Sequence, residues 1–235
     1  TEKEIDGIKL VHHEIESNGI GYATLMFDLS GVSEELLPYT GILQSVLGII
    51  DTNNYGYGEL FNEINVHTGG IGTSLELYPD VTKAKEKDFR ATFEIKGKAL
   101  YPQMKILFAM MREILMESRL DDEKRLGEIL DETRSRARMK MEDSSHGAAV
   151  GRASSYYSAS AAFNDIIGGI GYYQFLEYVS RRYSEEPEYR QALIGKLKDT
   201  VRLLFTSDNI LVSYKADEEG DGHLPVELKT FKASL

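Results

Sequence analysis

The sequence lacks cysteine altogether. A disulfide scaffold, a thiol nucleophile and a cysteine-ligated zinc site are therefore excluded. Because a cysteine-free chain is stable in both reducing and oxidising surroundings, this absence does not fix the compartment in which the protein works.

Long apolar runs are also missing. No stretch approaches the ~18 uncharged apolar residues of a membrane span, and the first residues do not form a basic-then-apolar signal segment. We therefore expect a soluble protein that is cytoplasmic rather than secreted and has no membrane partner. The chain begins at Thr1 without a methionine, as expected of a processed product or an excised piece of a longer protein.

A surplus of basic residues is missing as well. Acidic residues outnumber basic ones by 38 to 27, which gives a net charge of −11. Proteins that bind duplex nucleic acid normally present a basic face, whereas the basic residues here are interleaved with acids, as in residues 83–88 and 122–125. Nucleic acid is therefore not an expected partner. The acidity keeps the chain soluble and suits attraction of basic peptides.

The beginning of the chain predicts two strands joined by a tight turn. Residues 8–14 and 20–30 alternate between apolar and polar side chains, as a half-buried strand requires. Between them, Asn18-Gly19 is typical of a β-hairpin, because both residues tolerate the positive φ of a tight turn. The buried face of the second strand is expected to consist of Ala23, Leu25, Phe27 and Leu29.

Two more strands are predicted at residues 71–78 and 89–96. Half-buried alternation of this kind is typical of an antiparallel sheet with one covered face. The residues of the second strand that are expected to point to solvent are Arg90, Thr92, Glu94 and Lys96.

Helical spacing dominates the rest of the chain. An early helix is predicted to start at Ser33 as N-cap or at Pro38, since proline is tolerated in the first turn. Further periodic segments are residues 59–67, 105–116, 121–141, 148–162, 168–183 and 187–205, followed by a strand at 209–215. This order predicts an α+β fold: one antiparallel sheet covered on one face by helices, with ferredoxin-like layering. Residues 1–216 form the expected single domain, and residues 217–235 are expected to be a linker or the start of a next domain.

The residues of common catalytic sites are absent or wrongly spaced. No two of the five histidines lie four apart, as a helical zinc site requires; they are His12, His13, His67, His146 and His223. His12 and His13 are adjacent on a strand and therefore point to opposite faces, and His12, on the same face as Glu14, is expected to be a solvated group. The glycine-rich segments lack the lysine of a phosphate loop and are interpreted as loops and helix ends. A nucleophile elbow is also missing.

Small residues surround Arg152, Tyr156 and Tyr157. The glycines, alanines and serines of residues 147–162 predict a helix that packs closely against its neighbours. The competing interpretation is an unrelated enzyme that uses one of these three side chains in a cleft. A concave pocket that joins them would support the enzyme, and burial in a helix interface would count against it.

Several segments together resemble the pitrilysin/insulinase family of zinc metallopeptidases, in particular its presequence-protease branch. Their order and spacing carry the resemblance, which covers roughly residues 5–216. The segments are residues 17–23, 27–30, 35–39, 68–71, 147–154 and 169–176.

This resemblance implies a fold and a function. Proteases of this branch consist of four homologous α+β units, whose two bowl-like halves close over an unfolded peptide, and the first unit carries the inverted zinc motif His-x-x-Glu-His. The chain is similar to the third, non-catalytic unit. By alignment of the helix after the second strand, Gly41 and Ser45 stand where the histidines would be and Gln44 where the glutamate would be. The resemblance therefore implies no catalytic residue, no metal and no cofactor in this chain.

The leading hypothesis is a non-catalytic domain of a presequence-protease-like zinc metallopeptidase that helps to enclose the substrate chamber. Its expected partners are the other domains of the same polypeptide and an unfolded peptide substrate, and zinc is expected in the catalytic domain of the parent protein. The alternative is a stand-alone non-catalytic subunit. Such a subunit would bind peptides, for instance by strand addition at an exposed sheet edge, or would pair with a separate catalytic protein.

Overall fold

The computed structural model of the chain describes residues 1–79, 89–222 and 224–235. The strands in this part are β1 Glu2–Ile5, β2 Ile8–Glu14, β3 Ile20–Asp28, β4 Ile71–Pro79, β5 Phe89–Leu100 and β6 Ile210–Ala216. The α-helices are α1 Leu37–Val46, α2 Tyr57–His67, α3 Met104–Met116, α4 Glu123–Asp143, α5 Ser145–Ser154, α6 Ala159–Gly168, α7 Ile170–Glu185, α8 Pro187–Leu204, α9 Glu218–Asp221 and α10 Leu224–Lys232. None of these described helices is long and apolar enough to cross a membrane. The interleaved charges at 83–88 and His223 lie outside the described residues.

The strands form one six-stranded sheet in the order β1-β2-β6-β3-β5-β4. Neighbouring strands run antiparallel except β2 and β6, which are parallel. The α+β class is confirmed, with a sheet that is antiparallel apart from this pair. The last strand of the chain therefore lies between two strands from its beginning.

The turn at Asn18-Gly19 forms as expected but does not join a hairpin. Both residues adopt positive φ, 51° and 81°. The predicted pairing of β2 with β3 is wrong, because Tyr214 of the intervening β6 lies opposite both His12 of β2 and Ala23 of β3. Tyr214 is fully buried, so the apolar face of β6 gains more from a central place than from an edge.

Helices cover one face of the sheet and bury its apolar residues. The expected inner face of β3 is confirmed, since Ala23, Leu25, Phe27 and Leu29 are each at most 2% exposed. Phe205, which follows α8, packs edge-on against Phe27 and Phe93, with ring centroids 4.9 and 5.3 Å away. Burying a side chain of this size contributes roughly 1.5–3 kcal/mol, so these rings fasten the end of α8 to the middle of the sheet.

Helix α1 begins later than Ser33. Its first residue is Leu37, and Pro38 lies in its first turn. The Ser33 carbonyl oxygen accepts hydrogen bonds from the N–H groups of Leu36 and Leu37, at 2.9 and 3.1 Å, in the turn that precedes the helix. Because proline has a fixed φ and no N–H to lose, it suits this first turn. Of the two predicted starts, the one at Pro38 is confirmed and the Ser33 cap is wrong.

The expectation that the outer row of β5 points to solvent is wrong at two positions. Thr92 is 2% exposed and Glu94 is 0% exposed. The hydroxyls of Tyr78 and Thr92 donate to Glu94 Oε1 at 2.7 and 2.8 Å, and Lys96 Nζ lies 2.9 Å from Glu94 Oε2. These neighbours cover the carboxylate and offset the cost of removing its charge from water. Alternation specifies the face on which a side chain lies, not what covers that face.

Residues 217–235 fold back onto the domain. Leu224, Leu228 and Phe231 of α10 are each at most 2% exposed. The Phe231 ring packs edge-on against Phe108 of α3, with centroids 6.0 Å apart. The segment expected to be a linker or the start of a next domain therefore contributes side chains to the core of this unit. Where one domain would give way to the next in a longer protein stays a prediction.

The close packing predicted for residues 147–162 is wrong for α5. None of the ten described residues of α5 is buried. A Cβ placed at Gly151 would meet no described atom within 4 Å. Small side chains permit two helices to approach closely but do not compel them to do so. The tightly packed part begins in α6, where Phe163, Asp165 and Ile167 are buried.

Candidate functional site

Helix α1 carries the three residues aligned with the zinc motif and lies inside the helical layer. It packs against α4, α6, α7 and α8 and against β4 at the edge of the sheet. Gly41 is buried, and Gln44 and Ser45 are half-buried. Since residues three and four apart share a face of a helix, the structure brings these positions together on one enclosed face of α1.

The space above Gly41 is filled by Tyr172 of α7. A Cβ at Gly41 would lie 2.7 Å from Cε2 and Cζ of that ring and 2.9 Å from its Oη. Tyr172 is 7% exposed. Its ring stacks on Phe175 at 6.3 Å between centroids, and Phe175 in turn meets Tyr39 of α1 edge-on at 5.1 Å. Glycine is thus what lets α1 and α7 approach, and an imidazole at this position would have no room.

At the other two positions, the Ser45 side chain and the backbone carbonyl of Gln44 form hydrogen bonds within the domain. The Ser45 hydroxyl donates to the Gly41 carbonyl oxygen at 3.1 Å, and the Gln44 carbonyl oxygen accepts from the Thr73 hydroxyl of β4 at 3.0 Å. Zinc in proteins is held by imidazole nitrogens, carboxylate oxygens or thiolates. Gly41, Gln44 and Ser45 offer none of these, so this face of α1 does not fit a zinc ion.

Tyr172 is held as a neutral phenol. Burial raises the pKa of Tyr172 above its ordinary value, and the nearby Ser45 hydroxyl opposes this change only in part. The phenol oxygen makes no hydrogen bond of good geometry within the described residues. A phenol kept in its neutral form is a poor metal ligand and a poor proton acceptor at neutral pH. We therefore assign Tyr172 a space-filling role.

Sequence reasoning missed Tyr172, although one signal pointed towards it. Glycine in a helix interior costs about 1 kcal/mol relative to alanine. Gly41 lies in the interior of a helix, which indicates that a neighbour needs the room. The identity of that neighbour is not visible in the sequence, because the two residues lie on helices far apart along the chain.

The four histidines that the structure describes do not gather into a metal site. His12 and His13 point to opposite faces, as predicted: His12 is 4% exposed, whereas His13 is exposed. The expectation that His12 is solvated is wrong, because its Nε2 lies 3.2 Å from the Ala216 carbonyl oxygen and its ring stacks on Tyr214 with centroids 6.1 Å apart. Within residues 1–79, 89–222 and 224–235, no three His, Asp or Glu side chains are arranged to hold a metal ion.

Arg152 forms a structural ion pair. Its guanidinium contacts the carboxylate of Asp165 on α6, which also accepts a hydrogen bond from the Gly171 N–H at 3.2 Å. Only Gly169 lies between α6 and α7, since Gly168 ends α6 and Gly171 lies in the first turn of α7. The interpretation of this glycine-rich segment as a loop before a helix is therefore correct for Gly169 alone, which lies against the buried carboxylate of Asp165. Tyr156 and Tyr157 lie just beyond α5 and are 76% and 73% exposed.

Two cavities of about 430 and 410 Å³ lie elsewhere in the domain. The first cavity lies between α4 and α7. There the Tyr183 hydroxyl donates a hydrogen bond to the Glu123 carbonyl oxygen at 2.9 Å. Burial and the Glu123 carboxylate raise the pKa of Tyr183 to about 12. The second lies on the uncovered face of the sheet across β2, β3, β5 and β6. Arg152, Tyr156 and Tyr157 are not among the described residues that line either cavity, so neither supports an enzyme built on them.

Comparisons with known proteins relate the chain to one family of peptidases. The family model for the domain associated with peptidases of family M16, subgroup C, matches residues 1–179. Protein HypA of Clostridium perfringens is 35% identical over 218 residues, which cover 93% of this chain and 22% of that protein. Presequence protease 1 of Arabidopsis thaliana is 25% identical over 215 residues, which cover 91% of this chain and 19% of that protein. The chain thus spans about a fifth of the length of these curated relatives.

Two solved structures share the fold. A conserved protein from Enterococcus faecalis V583 matches 97% of this chain and 50% of its own, with a TM-score of 0.66 and 11% identity. A peptidase M16 inactive domain from Pseudomonas fluorescens matches 100% of this chain and 50% of its own, with a TM-score of 0.62 and 10% identity. At such identities the likeness shows the fold alone. Because the family model matches more than half of this chain, the chain belongs to the family of domains associated with subgroup C of the M16 peptidases, and it is similar to a presequence protease.

Proposed function

We propose that this chain is a non-catalytic domain of a larger, presequence-protease-like zinc metallopeptidase and helps to enclose the chamber in which the peptide is cut. The observation that carries the proposal is the packing of Tyr172 on Gly41, which fills the face of α1 aligned with the zinc motif. A domain closed at this point contributes shape and surface rather than metal chemistry. The chain covers only 22% and 19% of two relatives, which leaves ample sequence for a separate catalytic unit.

The open edge of β4 is the surface that we propose faces the peptide. Among the described strands, β4 pairs with β5 alone, so one row of its backbone N–H and C=O groups points away from the sheet. This edge adjoins α1, since the Thr73 hydroxyl bonds to the Gln44 carbonyl oxygen. In a catalytic unit of the same fold, a peptide must pass the zinc-bearing helix. A strand beside that helix can hold an extended peptide by added backbone hydrogen bonds.

Zinc content and cleavage of an unstructured peptide test the proposal. Both are measured on this chain alone and on the chain extended in both directions to the length of its relatives. Only a protein with an upstream His-x-x-Glu-His unit is expected to bind stoichiometric zinc and cut the peptide. Stoichiometric zinc together with peptidase activity in this chain alone would refute the proposal.

The alternative function is a stand-alone subunit that binds peptides or pairs with a separate catalytic protein. The open edge of β4 favours it, because an unpaired edge accepts a strand from any source. This alternative requires that the chain alone binds an unstructured peptide as tightly as a longer protein does. We expect no binding at micromolar concentrations by the chain alone. The hydrogen bonds of a single strand edge would have to offset all the conformational entropy that the peptide loses on binding. Fluorescence anisotropy of a labelled peptide distinguishes the two.

A further inference from the structure

The surface around α5 is left uncovered by the domain. Its neighbours α4 and α6 contribute buried residues, but the described residues of α5 contribute none. Four large side chains on α4, α5 and the turn after α5 are more than half exposed: Met139 at 54%, Val150 at 52%, Tyr156 at 76% and Tyr157 at 73%. We call these four residues the α5 surface.

The two tyrosines supply most of the area of the α5 surface. An aromatic side chain buries roughly 200 Å², so covering two rings that are three-quarters exposed would remove roughly 300 Å² from water. A patch of about 300 Å² is within the size range of the largest apolar patch on a typical monomer, and such patches are often functional. Tyrosine in particular is enriched at the centres of protein interfaces, because its rigid ring buries much area while its hydroxyl finds a partner.

The α5 surface is held in a defined geometry. The ion pair between Arg152 and Asp165 joins α5 to α6. The Arg152 guanidinium also lies over the Tyr156 ring, 5.4 Å from its centroid, and the hydroxyls of Tyr157 and Ser154 are 3.2 Å apart. Since these contacts already order the rings, little side-chain freedom is left to lose when a partner binds.

We propose that the α5 surface packs against another unit of the longer polypeptide to which this chain belongs, an inference that rests on the proposed function. The chain accounts for 22% and 19% of the length of two relatives, so about four-fifths of such a protein remains to cover this surface. The partner presents an apolar patch to Val150 and to the two rings, with hydrogen-bond acceptors at its rim for the tyrosine hydroxyls.

Charges near the α5 surface contribute little to this contact. Arg136 pairs with Glu132, and Arg138 pairs with Glu142, in both cases one turn away on α4. Because these guanidinium groups already have carboxylate partners, the contact rests on the burial of apolar area. Docking of the α5 surface is therefore expected to change little with ionic strength.

The absence of cysteine allows the α5 surface to be probed with single thiols. Val150→Cys and its matched control Val226→Cys each place one thiol on a helix, at positions 52% and 67% exposed. In this chain alone, both thiols are expected to react with a maleimide at similar rates. In the longer polypeptide, Val150→Cys is expected to react at least about tenfold more slowly, which corresponds to an opening cost of about 1.4 kcal/mol. The control is expected to keep its rate.

Two results would overturn the inference. One is an unchanged rate for Val150→Cys in the longer polypeptide. The other is slowing that already occurs in this chain alone and grows with its concentration, because a second copy would then cover the surface. Zinc content and cleavage, measured on the same longer protein, keep the two proposals apart. A protein that cuts the peptide but leaves Val150→Cys reactive refutes only the inference, and one that shields the thiol but binds no zinc refutes only the proposed function.

Discussion

Two helical glycines show how differently this domain uses small residues. Gly41 in α1 lies under the ring of Tyr172, where a Cβ would come within 2.7 Å of ring atoms, whereas a Cβ at Gly151 in α5 would meet no described atom within 4 Å. Around Gly41 the helices close, and Tyr172 is 7% exposed. Around Gly151 they stay apart, and Tyr157 is 73% exposed. The same residue type in the same kind of element thus has opposite outcomes, depending on whether a neighbour of matching shape reaches it.

The difference in exposure between Tyr172 and Tyr157 distinguishes a residue that stabilises the domain from one that is available to a partner. A tyrosine that fills a space inside the domain stabilises the isolated chain. A tyrosine on an open face adds little to the isolated chain and acts only when a partner covers it. Stability measurements on this chain alone therefore distinguish the two regions.

The largest expected difference is between Tyr172→Ala and Tyr157→Ala. Removing the buried ring leaves a cavity between α1 and α7 and should lower the free energy of unfolding by about 3–5 kcal/mol. Removing the exposed ring should change it by no more than about 0.5 kcal/mol. Urea unfolding followed by circular dichroism measures both. Equal losses would show that the Tyr157 ring is packed in solution.

Loss of the ion pair between Arg152 and Asp165 is expected to have the next largest effect on the free energy of unfolding. Asp165 is buried and holds both Arg152 and the Gly171 N–H, so Asp165→Ala should cost about 2 kcal/mol. The matched control Glu142→Ala breaks the Arg138–Glu142 pair at the surface, where water screens the charges, and should change little. Thermal unfolding of the two variants gives the comparison. A negligible loss for Asp165→Ala would show that the junction of α6 and α7 at Gly169 does not depend on this carboxylate.

Substitution of the glycines is expected to change stability less, and in opposite directions. In Gly41→Ala, crowding against Tyr172 costs about 1–3 kcal/mol and exceeds the helix propensity gain of about 1 kcal/mol, which leaves a net loss of about 1 kcal/mol. Gly151→Ala meets open space and should stabilise the chain by up to about 1 kcal/mol. Denaturant midpoints measure both changes. Stabilisation at both positions would mean that the Tyr172 ring yields without cost.

The last expected effect is absent at neutral pH and appears only at alkaline pH. The pKa of Tyr183 is raised from 10.0 to about 12, mainly by burial. The unfolded chain therefore releases this proton first, so the stability that Tyr183 contributes is complete below about pH 10 and is lost as the pH rises towards about 12. The free energy of unfolding should fall over this window, and Tyr183→Phe should make the fall shallower. Tyr157→Phe, which removes the hydroxyl of an exposed ring, is the control.

Local rules were sufficient for much of the secondary structure. The positive φ at Asn18-Gly19 and the start of α1 at Pro38 follow from residues that are neighbours in the sequence. The burial of Glu94 and the exposure of α5 did not follow from such rules. In both cases the outcome depends on which side chains of other elements lie above the residue, and periodicity carries no information about them.

The candidate site on α1 also has one part that the sequence predicts and one part that it does not. The identities of Gly41, Gln44 and Ser45 were enough to expect a face without zinc chemistry, since none of them carries a metal-binding group. That Tyr172 fills this face was not predictable, because α1 and α7 meet only in the folded chain.

By itself, the sequence determined the α+β class, the inner face of β3 and the lack of metal-binding side chains at Gly41, Gln44 and Ser45. Each of these depends on side-chain identity or on a periodicity within one element. Only the tertiary structure decided that β6 enters the sheet between β2 and β3, that Tyr172 closes over Gly41 and that Tyr156 and Tyr157 stay exposed. The physical reason is that these outcomes come from packing between segments far apart in the chain, where shape and burial outweigh local preference.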